Sequence, residues 1–235
     1  MSKTLSVIGP TTRPSPVASP RSSDDGARET RMASPGTTDK SEGSEMATAW
    51  CSAVAAQYRS TLDDLAIVLR GCPDDLWEAS IYEVKKTDQW AWPPTDRDGQ
   101  PFDDPAVRER KLQASSAVWR TASHALWFTD LDLSTTETDW APPAPFSPDD
   151  EDGYVVPPTY SRDQVSAYLD HCRRKVDTLF SHLTDDQAAA PLADPHRNGG
   201  TSLAAVLIQG VVHLQLHSTQ IRTFLRSHGI RCEDE

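Results

Sequence analysis

Leu203–Leu225 reads LAAVLIQGVVHLQLHSTQIRTFL, a long apolar run with two histidines, His213 and His217, set four residues apart inside it. On an α-helix that spacing puts both imidazoles on one face, one turn above the other. At about 100° per residue, Gln209, His213, His217 and Gln220 fall within about 80° of one another. Val206, Leu216, Ile221 and Phe224 flank this polar stripe, and Gln215, Ser218, Arg222 and Arg226 lie on the opposite side. The expectation is that the arginine side faces solvent and the histidine stripe faces the interior. Polar groups bounded by apolar side chains must find partners.

The rest of the chain supplies helices for this one to pack on. Trp50, Val54, Tyr58, Leu62, Leu65, Ile67 and Leu69 recur at near-helical spacing between Met46 and Leu69, and Gly71 followed by Pro73 ends that helix. Pro73–Trp77 resembles a short helix start, with Trp77 placed to cap the end of the core. Residues 84–108 form a polar connection carrying Trp90 and Trp92, read as lid aromatics over the core or, less commonly, as ligand contacts. A second helix is expected from about Ala106 to Leu131, with Leu112, Val118, Trp119, Ala122, Leu126 and Trp127 apolar and His124 in its middle. Ser134–Tyr160 holds six prolines and reads as an extended crossover. Ser161 followed by Gln164 has the capping-box pattern, opening a third helix that runs to about Leu183. A connection over 184–200 then leads to Thr201 as the cap of the fourth helix. No strand pattern and no repeat is present. The expected fold is all-α, a four-helix bundle with long crossover connections.

Charge is distributed unevenly. Residues 1–45 hold six basic and six acidic residues, so the whole net charge of -12 belongs to residues 46–235, where 17 basic residues face 29 acidic ones. So acidic a body argues against nucleic-acid and anionic-membrane partners, because phosphate contacts need clustered cations. Binding to duplex DNA at physiological salt is expected to be negligible. Residues 1–45 are rich in Ser, Thr and Pro and poor in large apolar side chains, which reads as a disordered tail. A targeting helix there would be interrupted by Pro10, Pro14, Pro16 and Pro20; translation starting at Met46 is a further alternative. The expected division is a tail over 1–45, a helical body over 46–230 and a short acidic C-terminus over 231–235. Cys51, Cys72, Cys172 and Cys232 make no CxxC or zinc-ribbon spacing, and no run reaches the roughly 18 uncharged apolar residues of a membrane span. Free thiols in a cytoplasmic protein are the expectation.

Three of the seven histidines are embedded in apolar helices: His124, His213 and His217. An i, i+4 pair can share one metal ion, and a third histidine from a facing helix completes a His₃ set with positions left open to substrate. Gln209 or Gln220 would orient the imidazoles. The competing reading is that these are satisfied core histidines hydrogen-bonded to those glutamines with no metal, since HxxxH arises often by chance. His171, His182, His196 and His228 sit in polar surroundings and read as surface residues.

SHALWFTDLDL in the second helix, SRDQVSAYLDHCRRKVDTLFSHLTDD in the third and HLQLHSTQIRTFLR in the fourth resemble the DinB-like superfamily over about residues 48–230. The crossover pieces PPAPFSPDD and VPPTYSRDQ fit it as well. The resemblance implies a four-helix bundle carrying a divalent metal, typically zinc or nickel, on one histidine of the second helix and an HxxxH pair of the last. By position these are His124, His213 and His217. Many relatives carry adjacent histidines in the last helix; here Leu216 stands in place of the first of that pair. The resemblance also implies thiol-dependent transfer or isomerisation, in which the metal stabilises the thiolate of a low-molecular-weight thiol such as mycothiol or bacillithiol. The implied partners are a small-molecule substrate or thiol, with a homodimer as the assembly to test. The alternative is a metal-binding or structural bundle acting in a partner interaction without catalysis. A metal-activated water is a further reading, ranked lower because no Glu or Asp stands in the histidine stripe to act as base.

Overall fold

The computed structural model describes residues 41–85, 95, 100–134, 140–151, 155–192 and 200–232, with side chains from Ala49 onward. Among them lie seven α-helices and no strand: α1 (Ser41–Gly71), α2 (Asp74–Trp77), α3 (Pro105–Ala114), α4 (Val118–Asp132), α5 (Arg162–Phe180), α6 (Asp185–Ala189) and α7 (Leu203–Ser227). The principal packing of the four long helices runs as a ring, α1 on α5, α5 on α4, α4 on α7 and α7 back on α1. No described helix is long and apolar enough to cross a membrane. Most of the expected tail, residues 1–40, lies outside the described residues. So do Trp90 and Trp92.

Helix α1 begins at Ser41, five residues before Met46. It buries Cys51, Ala55, Tyr58, Leu62, Leu65 and Leu69 in alternating steps of four and three that keep one face inward, with Val68 buried beside them. Pro73 opens α2 as its N-cap, and Trp77 is buried, its indole N–H donating to the Tyr160 carbonyl at 2.9 Å. The Ser161 capping box is present as expected: Ser161 Oγ accepts from Gln164 N, and Gln164 Oε1 accepts from Ser161 N. The same pattern occurs at Thr184 and Gln187, where it builds α6 inside the expected loop. The cap of α7 is Ser202, one residue after the expected Thr201; its hydroxyl accepts from Ala205 N.

The expected single helix over 106–131 is two helices. The break falls at Ser115–Ala117, where hydroxyl groups compete for backbone carbonyls. Ser115 Oγ donates to Leu112 O and Ser116 Oγ to Tyr82 O at 2.7 Å. The chain at 79–82 supplies the remaining partners: Ile81 N donates to Ser116 O and Val118 N to Ala79 O.

The outward face of α7 also differs from expectation. Its buried face is Leu203, Val206, Leu207, Gly210, Val211, Leu214, Ser218, Ile221 and Leu225. Ser218 is therefore core, and Leu216 faces solvent together with Ile208 and Val212. Arg222 does not mark the solvent side because it reaches across to α1, near Asp64, and donates to the Cys232 carbonyl at 3.0 Å. After α7 the chain turns back at Gly229 (φ +79°) and buries Cys232 beside Gly71. All four cysteines are free and buried.

The described part of the crossover lies over α4 and α5. Phe146 packs on Tyr160 and Tyr168, with ring centres 4.2 and 4.4 Å away. Trp127 of α4 donates to the Ser147 carbonyl at 3.1 Å. A 3₁₀ turn at Pro148–Glu151 follows, and buried Asp150 accepts from Ser147 N and from the Tyr160 hydroxyl. This turn delivers Glu151 to His124.

Candidate metal centre

Helices α4 and α7 each place half-buried histidines at their contact. His124 comes from α4, and His213 and His217 come from successive turns of α7. One ring nitrogen of each lies within 4.8 Å of the others. The ring centres are 5.1 Å apart for His124–His213, 4.8 Å for His124–His217 and 4.5 Å for His213–His217. Two nitrogens each about 2.1 Å from a shared ion stand no more than about 4.2 Å apart. The His213 and His217 Nε2 atoms, 3.0 Å apart, meet that condition as they stand. A tetrahedral ion sets its ligand nitrogens roughly 3.4 Å apart, so His124, within 4.8 Å of the other two, closes by no more than about 1.4 Å to join them. The three sequence-predicted ligands are brought together.

Two hydrogen bonds fix which nitrogens face inward. His124 Nδ1 donates to Glu151 Oε2 at 2.8 Å, leaving Nε2 as the nitrogen with a free lone pair. His217 Nδ1 donates to Gln220 Oε1 at 2.9 Å, so its Nε2 is likewise a lone pair, and accepts from His213 Nε2–H. Of the two candidate orienting glutamines, Gln220 has this role and Gln209 is exposed.

The orienting carboxylate was absent from the sequence reading. Glu151 is bound by the buried Arg120 guanidinium, which also donates to the Asp150 carbonyl at 2.7 Å. Burial alone would raise the Glu151 carboxyl, but Arg120 and then His124 outweigh it and hold it down to about 2. Glu151 is therefore ionised and fully engaged as an orienting group. A signal was available in VWRTASHALW: an arginine within an apolar helix, four residues before His124, demands a buried carboxylate. Its position in the crossover was not readable.

Burial pushes His213 down to about 4, helped by the charge of His124. Burial, His124 and His213 together push His217 down to about 3. At neutral pH both present neutral imidazoles, the form that ligates metal. Phe128 walls the site, its ring 4.8 Å from His124 and 5.3 Å from His213, and Trp127 and Trp140 extend that aromatic surface.

Of the four histidines expected at the surface, His182 and His228 are exposed and His196 lies outside the described residues. His171 is half-buried, its Nε2 3.2 Å from Asp130 Oδ1. Asp130 is wholly buried on α4 and also binds the Tyr168 hydroxyl and Lys175. This second polar cluster joins α4 to α5.

No family model matches this chain, and no curated protein or solved structure matches it at a significant level.

Proposed function

We propose that this chain is a DinB-like four-helix bundle that holds a divalent metal on His124, His213 and His217 and catalyses a thiol-dependent transfer or isomerisation in the cytoplasm. The observation that carries the metal assignment is the convergence of three imidazoles from two helices, two of them oriented from behind by Glu151 and Gln220. An all-nitrogen set suits zinc or nickel. A bound divalent ion supplies a positive charge that favours the thiolate form of a small thiol, such as mycothiol, near neutral pH.

The chain's own groups do the rest. Glu151 keeps the His124 proton on Nδ1, and Gln220 does the same for His217. Phe128 packs edge-on against the His124 and His213 rings. Burial raises the thiol pKa of all four cysteines. That makes each a poor nucleophile and supports a thiol brought in as a small molecule. Glu151 is tied to Arg120 and His124, and no other carboxylate is found bonded to the three rings among the described residues, which supports ranking a hydrolytic role below thiol transfer.

Metal analysis of purified protein tests the first step. The expected result is about one zinc or nickel per chain, lost on His213→Ala with the helical content retained. Metal-free protein, or metal retained in that variant, overturns the site. Metal-loaded protein is then offered mycothiol, bacillithiol or glutathione with an electrophile. Turnover that disappears with the metal is expected. Metal binding without turnover favours the second reading, a bundle acting through a partner, for which the exposed apolar residues of α7 are the specific observation.

A further inference from the structure

The face of α7 turned away from the core is apolar. Ile208 is 48 %, Val212 62 % and Leu216 48 % exposed. Spaced by four residues, they form one stripe. Of the exposed large hydrophobic side chains among the described residues, only Tyr82 lies elsewhere. The neighbours of the stripe, Ala205, Gln209, Thr219 and Thr223, are exposed and uncharged. No Asp, Glu, Lys or Arg occurs from Leu203 to Ile221, in a chain of which 25% is charged. A single exposed aliphatic residue is ordinary surface, but three in line on an uncharged helix face call for a cover.

We propose that a second copy of this chain is that cover, with α7 packed antiparallel on α7 about a two-fold axis at Val212. The stripe is self-complementary under that operation. Val212 meets itself, Ile208 meets Leu216 of the partner subunit, and small Ala205 meets Thr219 of the partner subunit, which lets the helices approach closely. Arg222 and Arg226 fall beyond the paired turns. The two-fold also suits the electrostatics: a chain of net charge -12 repels its own copy over most of its surface, and this uncharged face meets another with the least repulsion. The same net charge disfavours an anionic membrane as the cover, and α7 carries no Lys or Arg from Leu203 to Ile221 to attract one. The stripe leaves on the order of 300 Å² open per copy and its uncharged neighbours about as much again, so a pair would cover roughly 1,000 Å², the lower end for a specific interface. Val212 and Leu216 immediately precede His213 and His217, so the seam runs beside the candidate metal centre. The pairing does not depend on the metal.

Sedimentation velocity of the full chain over about 1 to 100 µM tests this, with a micromolar dimer expected. Val212→Glu sets like charges on the axis and is expected to raise the dissociation constant at least tenfold. Ile208→Lys is expected to weaken the dimer as well, while Tyr82→Glu leaves it unchanged. Because these positions are exposed, circular dichroism is expected to match the parent. Val212→Cys is expected to cross-link to its own copy on mild oxidation far faster than Ile208→Cys, whose counterpart across the axis is Leu216; the native cysteines are buried. A monomer throughout the range overturns the proposal, as does a dimer indifferent to Val212→Glu or equal cross-linking at both positions. A chain that dimerises only after removal of residues 1–40 also overturns it, by identifying that segment as the cover.

Discussion

The His124 ring is held from behind by Glu151, and Glu151 in turn by Arg120, so one buried guanidinium fixes the tautomer of a candidate ligand. Glu151→Gln keeps the volume and an acceptor for Arg120 but removes the charge that binds the His124 proton. Metal affinity is expected to fall about 10–100-fold in a chelator competition, the usual effect of losing such a partner. An unchanged affinity would show that Glu151 serves only Arg120. The two α7 histidines make the metal-free protein acid-sensitive. Their folded pKa values, about 4 and about 3, lie below the ordinary 6.5. The unfolded chain therefore binds more protons over that interval, and stability is full above pH 6.5 and falls as pH drops towards 3. The loss expected by pH 4 is on the order of 3 kcal/mol for each histidine, seen as a falling urea midpoint in the presence of chelator. Glu151, held low in the folded state, adds its own loss only below about pH 4.5. A flat midpoint between pH 7 and 4.5 would refute the histidine contribution. The histidines themselves were legible because four-residue spacing in an apolar helix has one geometric meaning. Glu151 was not, because it looks like one more acid in SPDDED until the crossover is folded.

At the scale of elements, Gly210 sits in the middle of α7, where glycine costs about 1 kcal/mol relative to alanine. The space its Cβ would take is occupied by the Tyr58 hydroxyl of α1, which donates to Leu207 O, and by Asp132 Oδ2 of α4, 2.7 Å from that position. Gly210→Ala is expected to destabilise by about 1–3 kcal/mol despite the better helix former, since buried Tyr58 has little room to retreat. Urea denaturation measures it; a stabilised variant would mean the α1–α7 contact is loose. Helix existence was readable from periodicity, and the Ser161 cap from its pattern. The α3–α4 break was not, because Leu112 and Val118 continue the helical spacing across it while the decisive partners, Ala79 and Tyr82, lie over thirty residues upstream. The outward face of α7 was misjudged for a related reason. An arginine marks solvent only when nothing nearby offers it carbonyls, and α1 and the returning C-terminal chain do.

For the molecule as a whole, the ring of four long helices places the candidate metal centre at one seam, between α4 and α7. A ligand bound only by the folded state stabilises it by mass action. A metal at about 100 times its dissociation constant adds about 2.7 kcal/mol, or roughly 5–10 °C of melting temperature for a chain of this size. Removing it with a chelator is expected to lower the midpoint by that amount in the parent and by far less in His217→Ala. Equal shifts in both would place the stabilising ion elsewhere.

The crossover turn carries a constraint unusual for a loop. Ser147, Asp150 and Glu151 are pinned to Trp127, Tyr160 and His124 in strict sequence. Surface connections ordinarily absorb insertions and deletions at little cost. Between Ser147 and Glu151 a single added or missing residue would carry the carboxylate past the imidazole and strand Arg120 without its counter-ion. This short stretch therefore has a fixed length, much as the span of a ruler is fixed by its two ends.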